Sequence, residues 1–138
     1  MPTTILPDMK QSRNMRRRGD IGEDAAAEFL SRHDAKILCR NYKARNGEID
    51  IIAESAHYLL FVEVKSRRVN PAFAMRPAAA VTLVKQRHIL SAAEQWLARS
   101  PEIPNKPIRF DVVEVFLSQH EPVSVLDIRY LPGAFTKT

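Results

Sequence analysis

The chain has 138 residues, of which 45% are hydrophobic and 27% are charged, and its formal net charge is +5. These values are ordinary for a globular protein, and the length favours a single domain. No apolar run approaches the roughly 18 residues of a membrane span, and the first residues lack the apolar segment of a secretory signal. A single cysteine, Cys39, excludes an internal disulfide and a cysteine-based zinc cluster. We therefore expect a cytoplasmic protein with no membrane partner.

The excess positive charge lies at the start of the chain. Residues 1–18 hold five basic side chains and one acidic side chain, whereas the other 120 residues hold 16 basic and 15 acidic side chains. A basic arm suits contact with a phosphate backbone, although a solvated leader would have the same composition. Translation could also begin at Met15. We interpret residues 1–18 as a basic, disordered leader that precedes one domain at residues 19–135.

The first half of the domain shows a helical pattern followed by three strand patterns. Apolar residues at helical spacing predict a helix over residues 21–32. Asp20 and Glu23 resemble a capping box at its start. Residues 36–42, 48–54 and 58–66 read as strands, and the Asn-Gly pair at 46–47 is a strong hairpin signal. We expect these three strands to form an antiparallel meander.

The second half predicts one more helix and two more strands. Pro77 suits a first helical turn, and the pattern that follows predicts a helix to about residue 99. Its expected inner face consists of Val81, Val84, His88, Ala92, Trp96 and Leu97. Strands are predicted over residues 108–117 and 123–131, the latter at the sheet edge. The order αβββαββ predicts an α/β fold with a mixed five-stranded sheet flanked by helices.

Acidic side chains interrupt two of the apolar strand patterns. Asp50 lies in the second predicted strand, and Glu63 and Lys65 lie near the end of the third. Side chains alternate across a strand, so Glu63 and Lys65 share one face. Burying a charge is costly unless it is compensated. If the second and third strands pair as a hairpin, Asp50 can approach Glu63 at the end of a central strand.

This set of residues suits metal-dependent hydrolysis of a phosphodiester. Mg²⁺ prefers oxygen ligands and keeps several waters, so that one or two carboxylates are enough to hold it. Asp50 and Glu63 would hold the ion, and Lys65 would be the electrostatic and proton-handling group. A buried ion pair of Lys65 with either carboxylate, without any metal, is the alternative that the pattern leaves open.

Several motifs of the chain, in this order and spacing, resemble a known family. The chain is similar to the YraN-like family of the PD-(D/E)XK nuclease superfamily, which is related to the archaeal Holliday junction resolvases. The matching segments are Gly19-Asp20-Ile21-Gly22-Glu23, Arg40-Asn41-Tyr42, Gly47-Glu48-Ile49-Asp50-Ile51-Ile52, Phe61-Val62-Glu63-Val64-Lys65-Ser66-Arg67, Lys85-Gln86-Arg87, Arg109-Phe110-Asp111-Val112-Val113 and Ala134-Phe135.

The resemblance implies a restriction-endonuclease-like fold and a metal site. It assigns catalysis to Asp50, Glu63 and Lys65, and adds Glu23 to Asp50 and Glu63 as a ligand of Mg²⁺ (or Mn²⁺). Glu23 thus has two interpretations, as a capping residue and as a metal ligand. The implied activity is endonucleolytic hydrolysis of DNA, with branched DNA as one substrate class. A nucleic-acid-binding module that does not cut, and a structural protein with internally paired charges, are the alternatives.

Other charged residues have weaker assignments. Arg67, Arg68, Lys85 and Arg87 flank the predicted cleft in sequence and are candidates for nucleic-acid binding. Arg109 and Asp111 share a strand face, which favours a structural ion pair over a catalytic role. A homodimer would supply two sites for two DNA strands, and the fifth strand and second helix are its candidate interfaces.

Overall fold

The computed structural model describes residues 7–72, 81–100, 102–103 and 105–136, with side chains from Asp20 onward. Its elements follow the predicted order αβββαββ. They are α1 (Pro7–Arg32), β1 (Lys36–Ala44), β2 (Gly47–Glu54), β3 (Leu59–Arg68), α2 (Leu83–Ala98), β4 (Ile108–Leu117) and β5 (Val125–Phe135). As far as the chain is described, neither helix is long and apolar enough to cross a membrane.

The strands form one five-stranded sheet in the order β1-β2-β3-β4-β5. β3 and β4 are parallel, and the other three neighbouring pairs are antiparallel. The predicted mixed sheet, the meander of the first three strands and the edge position of the fifth strand are therefore confirmed. The parallel pair requires a crossover between β3 and β4, and α2 lies within that connection.

The sheet carries an apolar layer on each face. The residues that pack on the α1 side include Ala26, Leu30, Leu60, Val62 and Val113. The α2 side is built from a second set that includes Ile52, Phe61, Ile89, Ala92 and Phe110. Consecutive residues of β3 thus belong to opposite layers, as the alternation of side chains along a strand requires. A central strand that is apolar on both faces makes each of its charged residues exceptional.

α1 begins well before its predicted start at residue 21. The backbone from Pro7 to Arg32 is one helix, and Pro7 fits because the first turn needs no N–H donor there. Asp20 lies inside this helix, so the predicted capping box was wrong. Residues 7–18 are helical and not irregular, while residues 1–6 lie outside the described part. The division into a leader and a domain at 19–135 stays a prediction.

α2 is shorter than predicted. Val81, Ala92, Trp96 and Leu97 of the expected inner face pack on the core, but two other residues of that face do not. Residues 73–80, with the predicted start at Pro77, lie outside the described part. Thr82 is the N-cap and accepts a hydrogen bond from the Lys85 N–H at 3.2 Å. The buried residues are Ile89, Ala92 and Ala93, whereas Val84 is 61% exposed and His88 is exposed. Placing Val84 and His88 on the inner face was wrong, because the helix buries the stripe that begins at Ile89.

Gly22 allows α1 to approach β3 closely. A Cβ atom at this position would lie 1.7 Å from the Ser66 Oγ and 2.8 Å from the Ser66 Cβ. Only glycine avoids this overlap while the helix and strand keep their positions. The contact places the next residue of α1, Glu23, beside the strand that carries Glu63 and Lys65.

Replacing Gly22 by Ala should destabilise the protein, and the sign should change when Ser66 is replaced by Gly. In the wild-type background the overlap should cost about 1–3 kcal/mol. In the Ser66→Gly background the obstructing side chain is gone, so Gly22→Ala should instead stabilise the helix by up to about 1 kcal/mol. The measurement is the free energy of unfolding of all four proteins in urea. An equal loss in both backgrounds would show that Ser66 is not the obstacle.

Candidate active site

β2 and β3 separate at the point where the acidic residues lie. Their pairing extends from Glu54↔Leu59 to Ile51↔Val62 and stops there. Beyond it, β2 continues to pair with β1, and β3 continues to pair with β4. The Asp50 Oδ2 accepts a hydrogen bond from the Val64 N–H at 2.8 Å. The Asp50 carboxylate therefore accepts a hydrogen bond from the β3 backbone at the point where the two strands diverge. We call this region, around Asp50 and Glu63, the fork.

Glu63 lies in this fork beside two ammonium groups. Its side chain is only 13% exposed, and its Oε1 lies 3.7 Å from the Lys85 Nζ. The pKa of Glu63 is raised to about 7, first by burial and then by the Asp50 carboxylate, while the charges of Lys85 and Lys65 act in the opposite direction. The structure thus brings Asp50, Glu63 and Lys65 together as the sequence suggested.

The electrostatic coupling extends through Asp50 to Glu23. Burial raises the pKa of Asp50, and the Val64 N–H and the Lys85 charge oppose that rise. Burial also raises the pKa of Glu23, followed by the charge of Asp50. All three carboxyl groups are therefore pushed toward the protonated form. These three carboxyl groups together lack compensating positive charge, and a bound cation would supply it.

Glu23 is held near the fork but is incompletely satisfied. Its Oε1 lies 3.5 Å from the Arg40 Nε in an ion pair, and it is buried without a hydrogen bond. The Arg40 guanidinium makes its short contact with Asp24 instead, at 2.6 Å. Because Asp20 is not a helix cap, the capping interpretation of Glu23 no longer applies. A buried carboxylate oxygen that has an ion pair but no hydrogen bond suits an oxygen-binding metal ion.

The three carboxylates do not form a ready-made metal cage. Among the residues that the structure describes, no three His, Cys, Asp or Glu side chains are grouped so that they could hold a metal ion together. Mg²⁺ does not need such a cage, because water and substrate phosphate complete its coordination. The donor chemistry of Asp50 and Glu63 therefore suits Mg²⁺ or Mn²⁺, with Glu23 next to Asp50.

Lys65 lines a groove formed by the second halves of β3 and β4. This groove is lined by Val64, Lys65, Ser66, Arg67, Glu114, Val115 and Phe116. Lys65 and Glu114 are partners across the parallel pair. Glu114 is only 2% exposed, and we assigned it no role from the sequence. The signal was present, since Glu114 interrupts an apolar strand in the same way as Glu63.

Gly47 positions α2, and with it Lys85, against the fork. A Cβ atom on Gly47 would lie 2.4 Å from the His88 carbonyl oxygen and 2.8 Å from its carbonyl carbon. The first turns of α2 can therefore rest directly on the start of β2. This contact explains how Lys85, distant from Glu63 in sequence, reaches its carboxylate.

The four predicted nucleic-acid-binding residues have different surroundings. Lys85 belongs to the fork itself, while Arg87 is exposed and points to another side of α2, because two residues turn a helix by about 200°. The exposed Arg67 lies with its guanidinium carbon 5.1 Å from the centroid of the Phe116 ring. Arg68 binds the Glu121 carboxylate at 2.7 Å. That contact ties Arg68 to the β4–β5 connection, so Arg68 is less available to a phosphate than the other three residues.

Arg109 and Asp111 form a structural network on the other face of the sheet. Asp111 is fully buried and accepts hydrogen bonds from Arg109 at 2.9 and 3.0 Å. The Tyr130 hydroxyl and the Gly133 N–H also donate to it. Asp111 alternates with Phe110 and Val112, which belong to the α2 side. It thus faces α1, whereas Glu63 faces α2, and the contacts favour the predicted structural ion pair.

Comparison with known sequences identifies the family. The profile of the uncharacterised protein family UPF0102 matches residues 22–115. The chain belongs to this family. A UPF0102 protein of Caldicellulosiruptor saccharolyticus is 42% identical over 122 residues, covering 88% of this chain and 99% of the relative. A UPF0102 protein of Symbiobacterium thermophilum is 45% identical over 120 residues, covering 87% and 97%.

The match agrees with the YraN-like resemblance. The UPF0102 profile covers Glu23, Asp50, Glu63, Lys65 and Lys85. A relative from Rhodopseudomonas palustris is 41% identical over 123 residues, covering 88% of this chain and 85% of its own length. The family description gives no activity, so any function for the fork rests on its geometry and chemistry.

Replacing Glu63 by Gln should stabilise the metal-free protein above pH 7 but not in acid. The carboxyl ionises near its ordinary value of 4.5 in the unfolded chain and near 7 in the folded protein. The folded state therefore binds the proton more tightly, and stability falls as the pH rises between these values. We expect Glu63→Gln to recover about 1–2 kcal/mol of unfolding free energy above neutral pH, measured by urea denaturation.

The matched control is Glu102→Gln, because Glu102 is an exposed carboxylate outside the sheet. Its substitution should leave the dependence of stability on pH unchanged. If Glu63→Gln shifts stability by the same amount at every pH, Glu63 is not the group whose ionisation is suppressed.

Proposed function

We propose that the protein is a divalent-metal-dependent endonuclease that hydrolyses phosphodiester bonds in DNA. The observation that carries this proposal is the fork between β2 and β3, where Asp50 and Glu63 are both partly buried and Glu63 lies beside Lys85. Carboxylates with suppressed ionisation and ammonium groups within one cleft are typical of a catalytic site. These groups lie beyond the last β2–β3 pair, where the two strands have separated, and this separation would give a substrate access to them.

Asp50 and Glu63 would hold the metal ion, and Glu23 would support it from α1. Support comes from the oxygen-only donor set, from the raised pKa values and from the buried Glu23 Oε1, which has no hydrogen bond. When bound, Mg²⁺ or Mn²⁺ would neutralise charge on the reacting phosphoryl group and polarise the attacking water. The Val64 N–H fixes the Asp50 carboxylate in its orientation before any ligand arrives.

The two lysines have separate tasks in this proposal. Lys65 shares the face of Glu63 and would orient the attacking water and stabilise negative charge on the phosphoryl oxygens. Lys85 neutralises Glu63 in the metal-free protein, at 3.7 Å. With a cation bound to Glu63, the Lys85 ammonium would be available to a phosphate of the substrate. Arg67 on β3 and Arg87 on α2 would add exposed phosphate contacts.

A non-catalytic nucleic-acid-binding module is the second candidate. It is favoured by one observation, namely that no three potential ligands converge on a metal position among the described residues. In that case the lysines and arginines would bind phosphates while the carboxylates only shaped the cleft. We place either activity in the cytoplasm, in keeping with the lone Cys39.

Cleavage of labelled linear, flapped and four-way DNA, with Mg²⁺ or Mn²⁺, tests the proposal. Asp50→Asn and Lys65→Met should each lower the cleavage rate by about 100-fold or more, because each removes a group that acts on the reacting phosphate. Lys85→Met should weaken cleavage by about 10-fold through weaker substrate binding. The readout is the single-turnover rate on denaturing gels.

The matched control is Lys36→Met, an exposed lysine at the opposite end of the β1–β2 hairpin. This variant should cut at the wild-type rate. Cleavage that survives both Asp50→Asn and Lys65→Met would disprove the site. DNA binding without cutting would select the binding module, and the absence of both would reject a nucleic-acid function.

A further inference from the structure

Asn41 has a backbone conformation that is rare for residues other than glycine. Its φ is 53°, in the left-handed region, although it lies within β1 and not in a turn. Steric clashes make this region costly for most residues, and asparagine tolerates it better than most. Among the described residues other than glycine, only Asp34, in the turn between α1 and β1, also has a positive φ. A left-handed residue inside a strand needs a structural or functional reason.

The β1–β2 hairpin turns over at Asn41, so that the side chains of both strands change faces there. Along a regular strand, residues two apart lie on the same face. Arg40 forms ion pairs with residues of α1, whereas Tyr42 packs in the apolar layer on the α2 side. The paired strand shows the same change, because Ile51 belongs to the α1-side layer and Ile49 to the α2-side layer. Both strands therefore turn over together, without a change in their pairing register at that point.

Asp50 lies at the point where the hairpin turns over. The register of β1 and β2 places Asn41 opposite Asp50. A side chain on a regular strand stands roughly perpendicular to the sheet and is directed away from the backbone donors of the next strand. The Asp50 carboxylate instead reaches sideways and accepts the Val64 N–H of β3 at 2.8 Å. The direction of Asp50 thus coincides with the change of faces that begins at Asn41.

The Asn41 side chain also reaches a carboxyl group beside the fork. Burial raises the pKa of Glu23, and a hydrogen bond with the Asn41 side chain is among the contacts that oppose this rise. Asn41 therefore has its side chain at Glu23 on α1 while its backbone lies opposite Asp50 on β2. One residue of the edge strand contacts the surroundings of two of the three carboxyl groups.

We propose that Asn41 is a positioning residue of the fork, whose left-handed backbone turns the β1–β2 hairpin over and thereby directs the Asp50 carboxylate toward β3. The expected effect on cleavage rests on the proposed function, whereas the effect on the geometry of Asp50 does not. Because the backbone conformation carries this role, a residue that adopts a positive φ easily should replace Asn41. Glycine does so without steric cost, whereas β-branched valine does not.

Amide hydrogen exchange of the full chain without metal, followed by NMR, tests this role directly. The signal is the protection factor of the Val64 amide, divided by that of Val113 in the middle of the sheet, because a uniform loss of stability lowers both. Asn41→Gly should keep this ratio within about threefold of the wild-type value. Asn41→Val should lower it at least about tenfold, because Asp50 no longer holds the Val64 N–H.

The matched control is Asp34→Val, which places the same side chain at the other described position with a positive φ, here 63°. Asp34 is exposed and lies outside the fork. This control should lower the urea midpoint as Asn41→Val does, but leave the ratio of the Val64 and Val113 protection factors unchanged. Circular dichroism verifies that each variant is folded. If Asn41→Val does not fold, Asn41→Ala, with a smaller steric cost, should lower the ratio in the same direction.

The DNA cleavage assay gives the second readout. Asn41→Val should lower the single-turnover rate at saturating DNA by at least about tenfold and change the half-saturating DNA concentration by less than about threefold. Asn41→Gly and Asp34→Val should cut within about threefold of the wild-type rate. An unchanged exchange ratio in Asn41→Val, or an equal loss in Asn41→Gly, would overturn the positioning role. A wild type that does not cut would reject the proposed function, while the exchange ratio would still decide the role of Asn41.

Discussion

The hydrogen bond from the Val64 N–H to the Asp50 carboxylate is the contact on which the candidate site depends. It lies where the β2–β3 ladder stops, after Ile51↔Val62. A side chain replaces a backbone acceptor there, so the two strands can separate without leaving a buried donor unsatisfied. The separation creates space for Glu63 and gives the charged residues access to solvent and ligands at one end of a sheet whose centre is closed on both faces.

The surroundings of the fork disfavour the charged form of its carboxyl groups. Asp50, Glu63 and Glu23 all have raised pKa values, with burial as the first cause in each case. The compensating charges within the fork come from lysines on different elements, Lys65 on β3 and Lys85 on α2. A fold that only needed stability could place apolar residues here. The presence of three partly buried carboxylates with raised pKa values is the physical reason to regard this fork, and not the Asp111 network, as the place of function.

The two faces of the sheet have different roles, with a structural network on one face and the candidate site on the other. On the α1 side, Asp111 accepts four hydrogen bonds, from Arg109 twice, from Tyr130 and from Gly133, and this closes the sheet near β5. On the α2 side, the fork remains partly open. Glycines let the helices reach the fork from both faces, since Gly22 brings α1 onto Ser66 and Gly47 brings α2 into contact with β2 at His88. The Asp111 network and the fork therefore lie on opposite faces of the same sheet.

The sequence by itself determined the order of the elements, the strands of the sheet and the position of Asp50, Glu63 and Lys65, because periodicity and charges in apolar strands are local signals. It could not determine where α1 starts, since a Pro at the first turn neither requires nor forbids a longer helix. It also missed Glu114 and the exposure of Val84 and His88. Only the tertiary structure decided that Lys85 neutralises Glu63, that Arg68 binds Glu121 and that Glu23 is no cap. Such contacts join residues that are distant in sequence, and packing alone selects among the partners that each charge could have.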